Sequence, residues 1–392
     1  MRKYFFDCPV FPFSYYFEGM AEDKIIIVGG GLGGLITSLR LAEAGIPSIV
    51  IEKRTYPQQR VCGEYISHEV TPFLKSLGAY PESLHPAQIS RFQLSSVAGR
   101  SALLPLDLGG FGVSRYAFDD FLYIRAREAG VEFLLETEVQ EVNFSNDRFV
   151  IKTADRSLEA RVVIGAFGKR SRIDVQLKRS FVQKRSPYVG VKYHVRVEHP
   201  HDLIALHNFP GGYCGMSHVE DGKVNLCYLT HRDNLKAHGN IRAMEQAVLY
   251  QNPLLRDIFM GAEFLSAKPE TINEISFETK QPVEDHILML GDAAGMITPL
   301  CGNGMAMAIR SAKILTDLLI PYYRSTTFDR AALEKVYTAQ WRAQFAVHLW
   351  RGRQIQRLFG NETASRLAIG LVLHVRPLAK AIVRSTHGSV FA

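Results

Sequence analysis

The sequence predicts an α/β protein in which a discontinuous parallel sheet is joined to an antiparallel-sheet domain and followed by a helical C-terminal region. Two short uncharged aliphatic runs, 25–28 and 287–290, each precede a glycine-rich turn and a helical pattern, as in parallel sheets. Four strand patterns fall between 188 and 229, and the last two form a hairpin. The chain has 392 residues, 47% hydrophobic and 22% charged, which suits two or three globular domains and excludes disordered, collagen-like and coiled-coil proteins.

The first glycine-rich turn has the order of parts that a dinucleotide-binding unit requires. Ile25–Val28 is typical of a buried strand, Leu35–Glu43 of a helix and Ser48–Ile51 of a second strand. Between the first strand and the helix stands a G-x-G-x-x-G pattern made by Gly29, Gly31 and Gly34. Glu52 ends the second strand, 23 positions after the first glycine.

Each of these positions has a physical role in binding a dinucleotide. Gly29 permits a tight turn, Gly31 lets the backbone approach a diphosphate, and Gly34 lets helix and strand pack closely. The helix N-terminus offers free N–H groups and a partial positive charge to the diphosphate. Glu52 is placed to accept hydrogen bonds from both ribose hydroxyls of an adenosine, which favours FAD or NAD over NADP.

The second glycine-rich segment suits a flavin. Ile287–Leu290 leads into Gly291-Asp292-Ala293-Ala294-Gly295 and then into Pro299–Met305, ahead of another helical pattern. Asp292, at the carboxyl end of a strand, is placed to bind a polyol hydroxyl. The turn from Gly302 to Gly304 opens a helix whose N-terminal dipole would stabilise negative charge on a reduced flavin ring.

On these motifs the chain resembles the FAD enzymes of the p-hydroxybenzoate hydroxylase-like superfamily, in order, from residue 25 to about 320. The resemblance implies a Rossmann-type FAD-binding domain, with Asp292 on the ribityl chain and the Pro299 carbonyl beside the reactive edge of the isoalloxazine. It also implies that Arg115 faces the flavin and that the main chain of Val139 touches adenine. The candidate cofactor-binding residues are Gly29, Gly31, Leu32, Gly34, Glu52, Lys53, Arg60, Arg115, Val139, Gly291, Asp292, Gly302, Asn303, Gly304 and Met305.

Four features of the sequence bear on the branch within this superfamily and on its electron donor. Cys62-Gly63-Glu64 resembles geranylgeranyl reductases, and Cys62 would either face flavin or substrate or be a buried small hydrophobe. The Trp-x-Trp motif of halogenases is missing, which argues against halogenation. In the stretch nearest to the Tyr-x-Trp-x-Phe-Pro motif of prenyl reductases only Tyr213 is kept, which predicts a different substrate. Phe167 replaces an aspartate of the family hydroxylases, so NAD(P)H is expected to reduce the flavin slowly or only when substrate is bound, and another electron donor stays open.

The predicted function is FAD-dependent oxidoreduction of a small apolar substrate, isoprenoid-like or polyketide-like, with reduction as the leading reaction. The candidate catalytic residues are Cys62 and Pro299. A single-component flavin monooxygenase is the alternative, and a non-catalytic flavin-binding protein is a further one. No metal site is expected, since no ligand spacing is matched by His194, His199, His201, His207 and His218.

The predicted FAD-binding domain comprises residues 22–84, 110–175 and 280–320, the substrate domain 85–109 and 176–279, and the C-terminal helical region 321–392. The net charge is +7, and the part from Arg310 onward holds 13 Lys/Arg and 4 Asp/Glu. With the apolar segment 367–375, this basic end predicts peripheral contact with an anionic membrane surface, and packing over a substrate tunnel is the alternative. No nucleic-acid partner is expected, because no aromatic stacking pattern accompanies the charges.

Cysteine usage and the N-terminus complete the sequence-based expectations. The five cysteines are too few and too scattered for a disulfide framework, which favours a reducing cytoplasm. Residues 1–19 are rich in aromatic side chains, are interrupted by prolines and lack the features of a signal peptide. We interpret Met20 as the natural start, a hypothesis that the intact mass of the native protein tests.

Overall fold

The computed structural model describes residues 24–273, 275–298, 302–358, 363–364, 367, 370 and 388–392. Its strands, in chain order, are β1 (Ile25–Val28), β2 (Ser48–Ile51), β3 (Tyr65–Ser67), β4 (Ala87–Ser95), β5 (Ser101–Gly112), β6 (Glu132–Leu134), β7 (Glu141–Ser145), β8 (Arg148–Lys152), β9 (Ser157–Ala160), β10 (Val163–Gly165), β11 (Tyr188–Arg196), β12 (Leu203–Phe209), β13 (Gly212–His218), β14 (Val224–His231), β15 (Glu263–Phe264), β16 (Glu270–Ile272), β17 (Val283–Glu284) and β18 (Ile287–Met289). Its helices are α1 (Leu32–Glu43), α2 (Thr71–Ser76), α3 (Arg115–Glu128), α4 (Arg172–Gln176), α5 (Arg232–His238), α6 (Ile241–Val248), α7 (Pro253–Gly261), α8 (Gly304–Arg324) and α9 (Arg330–Leu358). Met20, which we interpret as the natural start, lies outside the described residues.

The first sheet is parallel except at one edge and has the order β17-β18-β10-β1-β2-β6. Every residue of β1 is buried, as expected for a strand covered on both faces. Helix α1 packs against α3 and α8, and α9 packs on α8. This arrangement confirms the predicted α/β class and the predicted strands at 25–28 and 48–51, and it gathers the carboxyl ends of β1, β2, β10 and β18 at one edge.

The second sheet has the order β15-β11-β14-β13-β12-β4-β5-β3, and β16 also pairs with β11. Its β13–β14 hairpin, which turns at Glu220–Gly222, confirms the predicted one. One parallel pair, β4 with β12, interrupts the predicted antiparallel pattern. These two strands are far apart in the chain and are not joined by a hairpin, so their relative direction is not restricted to antiparallel. Helices α6 and α7 contribute to the hydrophobic cluster on one face of this sheet.

Strands β7, β8 and β9 form a separate three-stranded sheet, which the sequence reading did not anticipate. The parallel sheet draws its strands from 25–51, 132–165 and 283–289, whereas β3, within the predicted range 22–84, pairs with β5 of the second sheet. The domain boundaries themselves remain a prediction. Helix α9 lies within the predicted C-terminal helical region, and residues 363, 364, 367 and 370 of that region are also helical. None of the helices in the described ranges combines the length and apolarity needed to cross a bilayer.

Candidate functional site

A cavity of about 1060 Å³ lies between the carboxyl edge of the parallel sheet and the second sheet. Crevices at this edge are the usual ligand sites of open parallel sheets, and the volume is at the upper end of ordinary ligand pockets. Most of the candidate residues line it, namely Gly29, Gly31, Leu32, Glu52, Lys53, Arg60, Cys62, Arg115, Val139, Gly291, Asp292, Gly302, Gly304 and Met305. Gly34 and Asn303 are buried beside it without lining it, and Pro299 lies outside the described residues.

The glycines of the first turn are needed for different reasons. Gly29 has φ +106°, a left-handed backbone conformation, and a Cβ there would collide with the carbonyl of Ala166. A Cβ on Gly34 would collide with the carbonyl of Gly29, which explains the close packing of α1 on β1. At Gly31 a Cβ would come no closer than 3.7 Å to Arg115 Nη2, so that position faces open cavity.

Glu52 ends β2 with its carboxylate almost fully buried. Oε2 accepts a hydrogen bond from the Gly30 N–H at 2.9 Å, Oε1 accepts one from the Arg54 N–H at 3.2 Å, and Arg60 Nη2 lies 3.4 Å away. Two carboxylate oxygens have about four acceptor sites, so capacity remains for a ligand hydroxyl. The Thr137 N–H donates to the Glu52 carbonyl at 3.1 Å, which brings the cavity-lining segment at Val139 close to this carboxylate.

Arg115 and Arg60 are both oriented by Asp119, which is fully buried. Arg115 donates to the two Asp119 oxygens at 2.7 and 2.6 Å, and Arg60 Nε donates to Asp119 at 3.2 Å. Ser114 caps the helix that begins at Arg115, and Glu220 from the β13–β14 hairpin accepts hydrogen bonds from the Ser114 N–H and Oγ at 2.7 Å each. The second sheet thereby positions the start of α3 at the cavity wall.

The second motif places Gly291 and Asp292 on the cavity wall at the end of β18, at the same sheet edge as the first turn. Gly291 has φ +56°, and its N–H donates to Ser311 Oγ at 3.0 Å. Burial raises the pKa of the Asp292 carboxyl. The ammonium of Lys280 lies behind this wall and donates to the carbonyls of Asp292 and Lys169, both at 2.8 Å. Burial lowers the pKa of Lys280 to about 8. No sequence motif identified Lys280.

The segment from Cys62 to Glu64 forms part of the cavity lining and is tied to β11. Burial raises the pKa of the Cys62 thiol, so the thiol is protonated near neutral pH. Glu64 is a non-glycine residue at φ +54°, and its carboxylate is fully buried. The carboxylate accepts hydrogen bonds from Lys192 Nζ and, at 2.9 Å, from the Arg115 N–H, while His194 Nε2 lies 2.6 Å away.

This buried group of Glu64, Lys192 and His194 was missed by the sequence reasoning. Lys192 and His194 lie two residues apart on β11, which places both side chains on one face of the strand. The sequence did contain one sign of this group, namely a lysine within a strand pattern that is mostly apolar. His194 was considered only as a metal ligand, and no group of three His, Cys, Asp or Glu is placed to hold a metal ion among the described residues.

A family model described as FAD binding domain matches residues 22–346. The chain belongs to this FAD-binding family. It is an FAD-dependent oxidoreductase, and the predicted resemblance and cofactor are confirmed at this level.

The individual proteins similar to the chain include archaeal reductases and other flavin-dependent enzymes. A digeranylgeranylglycerophospholipid reductase 2 of Methanopyrus kandleri is 26% identical over 373 residues, which cover 89% of this chain and 90% of the relative. A geranylgeranyl bacteriochlorophyll reductase-like structure from Thermoplasma acidophilum has a TM-score of 0.73 at 18% identity, covering 92% and 96% of the two chains. A flavin-dependent brominase structure has a TM-score of 0.75 at 16% identity, covering 95% of each chain. The two structures show the fold that this chain shares with them.

The cavity residues fit FAD. Helix α1 begins at Leu32 on the cavity wall, beside the open space at Gly31, so its N-terminal amides are available to a diphosphate. Glu52 retains acceptor capacity for ribose hydroxyls, as described above. Helix α8 begins at Gly304, which also lines the cavity, and would present its N-terminal dipole to the flavin end. The individual roles of these residues remain predictions.

Proposed function

We propose that the protein reduces a carbon–carbon double bond of an apolar, isoprenoid-like or polyketide-like substrate. The observation that carries the proposal is the chemistry of the cavity beyond the FAD residues. Strands β4, β5 and β12 line it with apolar side chains, namely Phe92, Leu94, Leu104, Leu106, Ile204 and Leu206. Tyr213 and Leu229 continue this face, and Met216 and Tyr228 also line the cavity although they belong to the hydrophobic cluster that includes residues of α6 and α7.

The archaeal relative supports reduction as the reaction. Its name states a reductase of a geranylgeranyl lipid, and the similarity extends over nearly the whole of both chains. Reduction of a double bond needs a hydride and a proton, and reduced FAD supplies the hydride when bound. Cys62, protonated and on the cavity wall, would donate the proton to the substrate carbon and regain one from solvent.

Anaerobic reoxidation tests this reaction independently of the natural electron donor. Holoenzyme reduced with dithionite, freed of excess reductant and mixed with geranylgeraniol or an aromatic polyketide, is expected to regain the absorption of oxidised FAD and to yield a dihydro product. Cys62→Ala should slow this reoxidation about a hundredfold, whereas Cys214→Ala, a buried cysteine in the cluster facing α6 and α7, should not.

Other outcomes identify the alternatives. Reoxidation that needs air, together with a substrate-dependent oxygenated flavin spectrum, would establish a monooxygenase instead. No response to any substrate, with or without air, would support a non-catalytic flavin protein. Phe167 lines the cavity where hydroxylases have an aspartate, which supports slow reduction by NAD(P)H alone.

We further propose that the C-terminal part contacts an anionic membrane surface at its periphery. On α9, Val347 is 52% exposed and Trp350 56% exposed, next to Arg351. Leu367 both lines the cavity and is 70% exposed, which supports an opening of the cavity beside this residue. Exposed tryptophan beside arginine suits a membrane interface.

Co-sedimentation with vesicles tests this contact. The holoenzyme should bind vesicles containing phosphatidylglycerol, bind neutral phosphatidylcholine vesicles weakly, and lose most binding after Trp350→Ser. The matched control is Val175→Ser, which removes a side chain of similar exposure (57%) from α4. Absence of binding to anionic vesicles at low salt would leave the tunnel-covering alternative for the C-terminal region.

A further inference from the structure

Open space lies above the backbone of Gly215, in the middle of β13 and on the cavity wall. Gly215 pairs with Leu206 on β12 and with Cys227 on β14, so β13 is an interior strand here. A Cβ added to Gly215 would come no closer than 3.7 Å to the Cys227 carbonyl oxygen and 4.0 Å to Leu206 Cδ1. Its φ lies outside the left-handed region. Neither the backbone nor the packing therefore requires glycine at this position.

The other strand glycines in the described part of the chain differ from Gly215 in this respect. At each of them an added Cβ would come within 2.8 Å of a neighbouring atom, and these positions are Gly109, Gly110, Gly112, Gly165, Gly190 and Gly212. Their small size is explained by close approach of strands or side chains. Glycine inside a strand weakens it, and where no protein atom fills the space, close approach of a ligand is a recognised reason for it.

The surroundings of Gly215 define what such a ligand would be. Leu206, Tyr213 and Leu229 lie on the same face of the sheet, in the hydrophobic cluster that borders the cavity. Cys227, which pairs with Gly215 on β14, and Cys62 also line the cavity. On the strand beyond Cys227, Lys192 occupies the same face, but its ammonium is already paired with the Glu64 carboxylate. The space therefore suits an uncharged apolar group.

We propose that Gly215 is a specificity-determining position whose missing side chain forms the subsite for an apolar part of the substrate. The proposal rests on the proposed function for the identity of that substrate, since an apolar cavity alone does not distinguish an isoprenoid from a polyketide. A side chain at residue 215 would occupy the subsite directly. Binding of the apolar ligand should then fall with the size of that side chain, while the fold and the FAD site stay intact.

A graded series of substitutions in the FAD-loaded full chain tests the subsite. Gly215→Ala and Gly215→Leu are compared for FAD content, melting temperature, and binding of geranylgeraniol and of the neutral apolar dye Nile red. Gly215→Leu should weaken binding of both probes at least about tenfold, and Gly215→Ala should weaken it less. FAD content should not change, and the melting temperature should stay equal or rise, because the new side chain fills open space in a strand.

Two further variants separate a subsite from a structural role. Leu206→Ala combined with Gly215→Leu removes the side chain facing the new leucine and should restore part of the lost binding. Gly190→Ala is the steric control, because its Cβ would lie 2.8 Å from Ile272 Cγ2 and should lower the melting temperature. A structural role for Gly215 would likewise lower the melting temperature of Gly215→Leu, and that result would overturn the proposal.

The two probes keep this inference distinct from the proposed function. Equal Nile red and geranylgeraniol binding by the parent protein and Gly215→Leu would overturn the subsite, even if isoprenoids reoxidise the reduced enzyme. Loss of Nile red binding in Gly215→Leu, in a protein whose FAD is never reoxidised by isoprenoids or polyketides, would uphold the subsite and refute the proposed substrates.

Discussion

Replacing Glu64 by alanine is expected to lower the free energy of unfolding by about 3–5 kcal/mol, the usual cost of removing one partner of a buried ion pair. Lys192 is 1% exposed, and without the carboxylate the acceptors left to its ammonium among the described residues are neutral, Gln59 Oε1 at 3.3 Å and the Arg60 carbonyl at 3.1 Å. The Arg115 N–H and His194 would also lose their partner. We expect this change to destabilise both the Cys62 segment and the start of α3.

Chemical denaturation at one saturating FAD concentration measures the effect. Lys192→Met combined with Glu64→Ala should recover a large part of the loss, because no unpaired buried charge then remains. The matched control is Glu263→Ala, which breaks the exposed pair with Arg196 on the same sheet and should cost less than about 1 kcal/mol. A Glu64→Ala protein as stable as that control, or a double variant less stable than Glu64→Ala, would contradict the account.

Local sequence patterns were sufficient to predict the part of the site that a single strand–helix–strand unit forms. The turn at Gly29, the helix after it and Glu52 lie within a span of 24 residues, and short-range sterics determine them. The strands at 25–28 and 48–51 also follow from continuous aliphatic runs. For these features, a correct local assignment already placed the residues at the same sheet edge.

The remaining parts depend on contacts between distant segments, which no local pattern encodes. Glu64 meets Lys192 across 128 positions, and Lys280 donates to the Lys169 carbonyl across 111 positions. The pairing of β4 with β12 and of β3 with β5 likewise joins separate segments of the chain, and the strand patterns alone do not specify which strands pair. Open space at Gly215 is a property of the packed cavity, so glycine in the sequence did not reveal it.

Replacing Lys280 by methionine is expected to weaken FAD binding by about tenfold to a hundredfold, since hydrogen bonds from a charged donor contribute about 1.5–3 kcal/mol each. The ammonium joins two cavity-wall segments through the carbonyls of Lys169 and Asp292, at 2.8 Å each. It also lies over the Phe181 ring, 4.2 Å from the centroid. Lys280→Arg keeps the charge and should retain more affinity, and Lys268→Met is the control at an exposed lysine.

The same lysine predicts opposite pH trends for cofactor affinity and for the stability of the FAD-free fold. Burial lowers its pKa to about 8, with Asp292 and Asp174 opposing and Arg179 reinforcing the shift, so the FAD-free protein releases this proton near pH 8. The anionic cofactor favours the protonated form, so FAD affinity is full below pH 8 and falls as the pH rises through that value. In the unfolded chain Lys280 keeps its proton up to the ordinary lysine pKa of about 10.4. Between pH 8 and that value the unfolded chain therefore binds one more proton than the FAD-free fold, so the free energy of unfolding rises with pH. Fluorescence titration of FAD from pH 7 to 10 should show the fall in the parent protein and a flat profile in Lys280→Met, and an unchanged slope in that variant would exclude Lys280 as its origin.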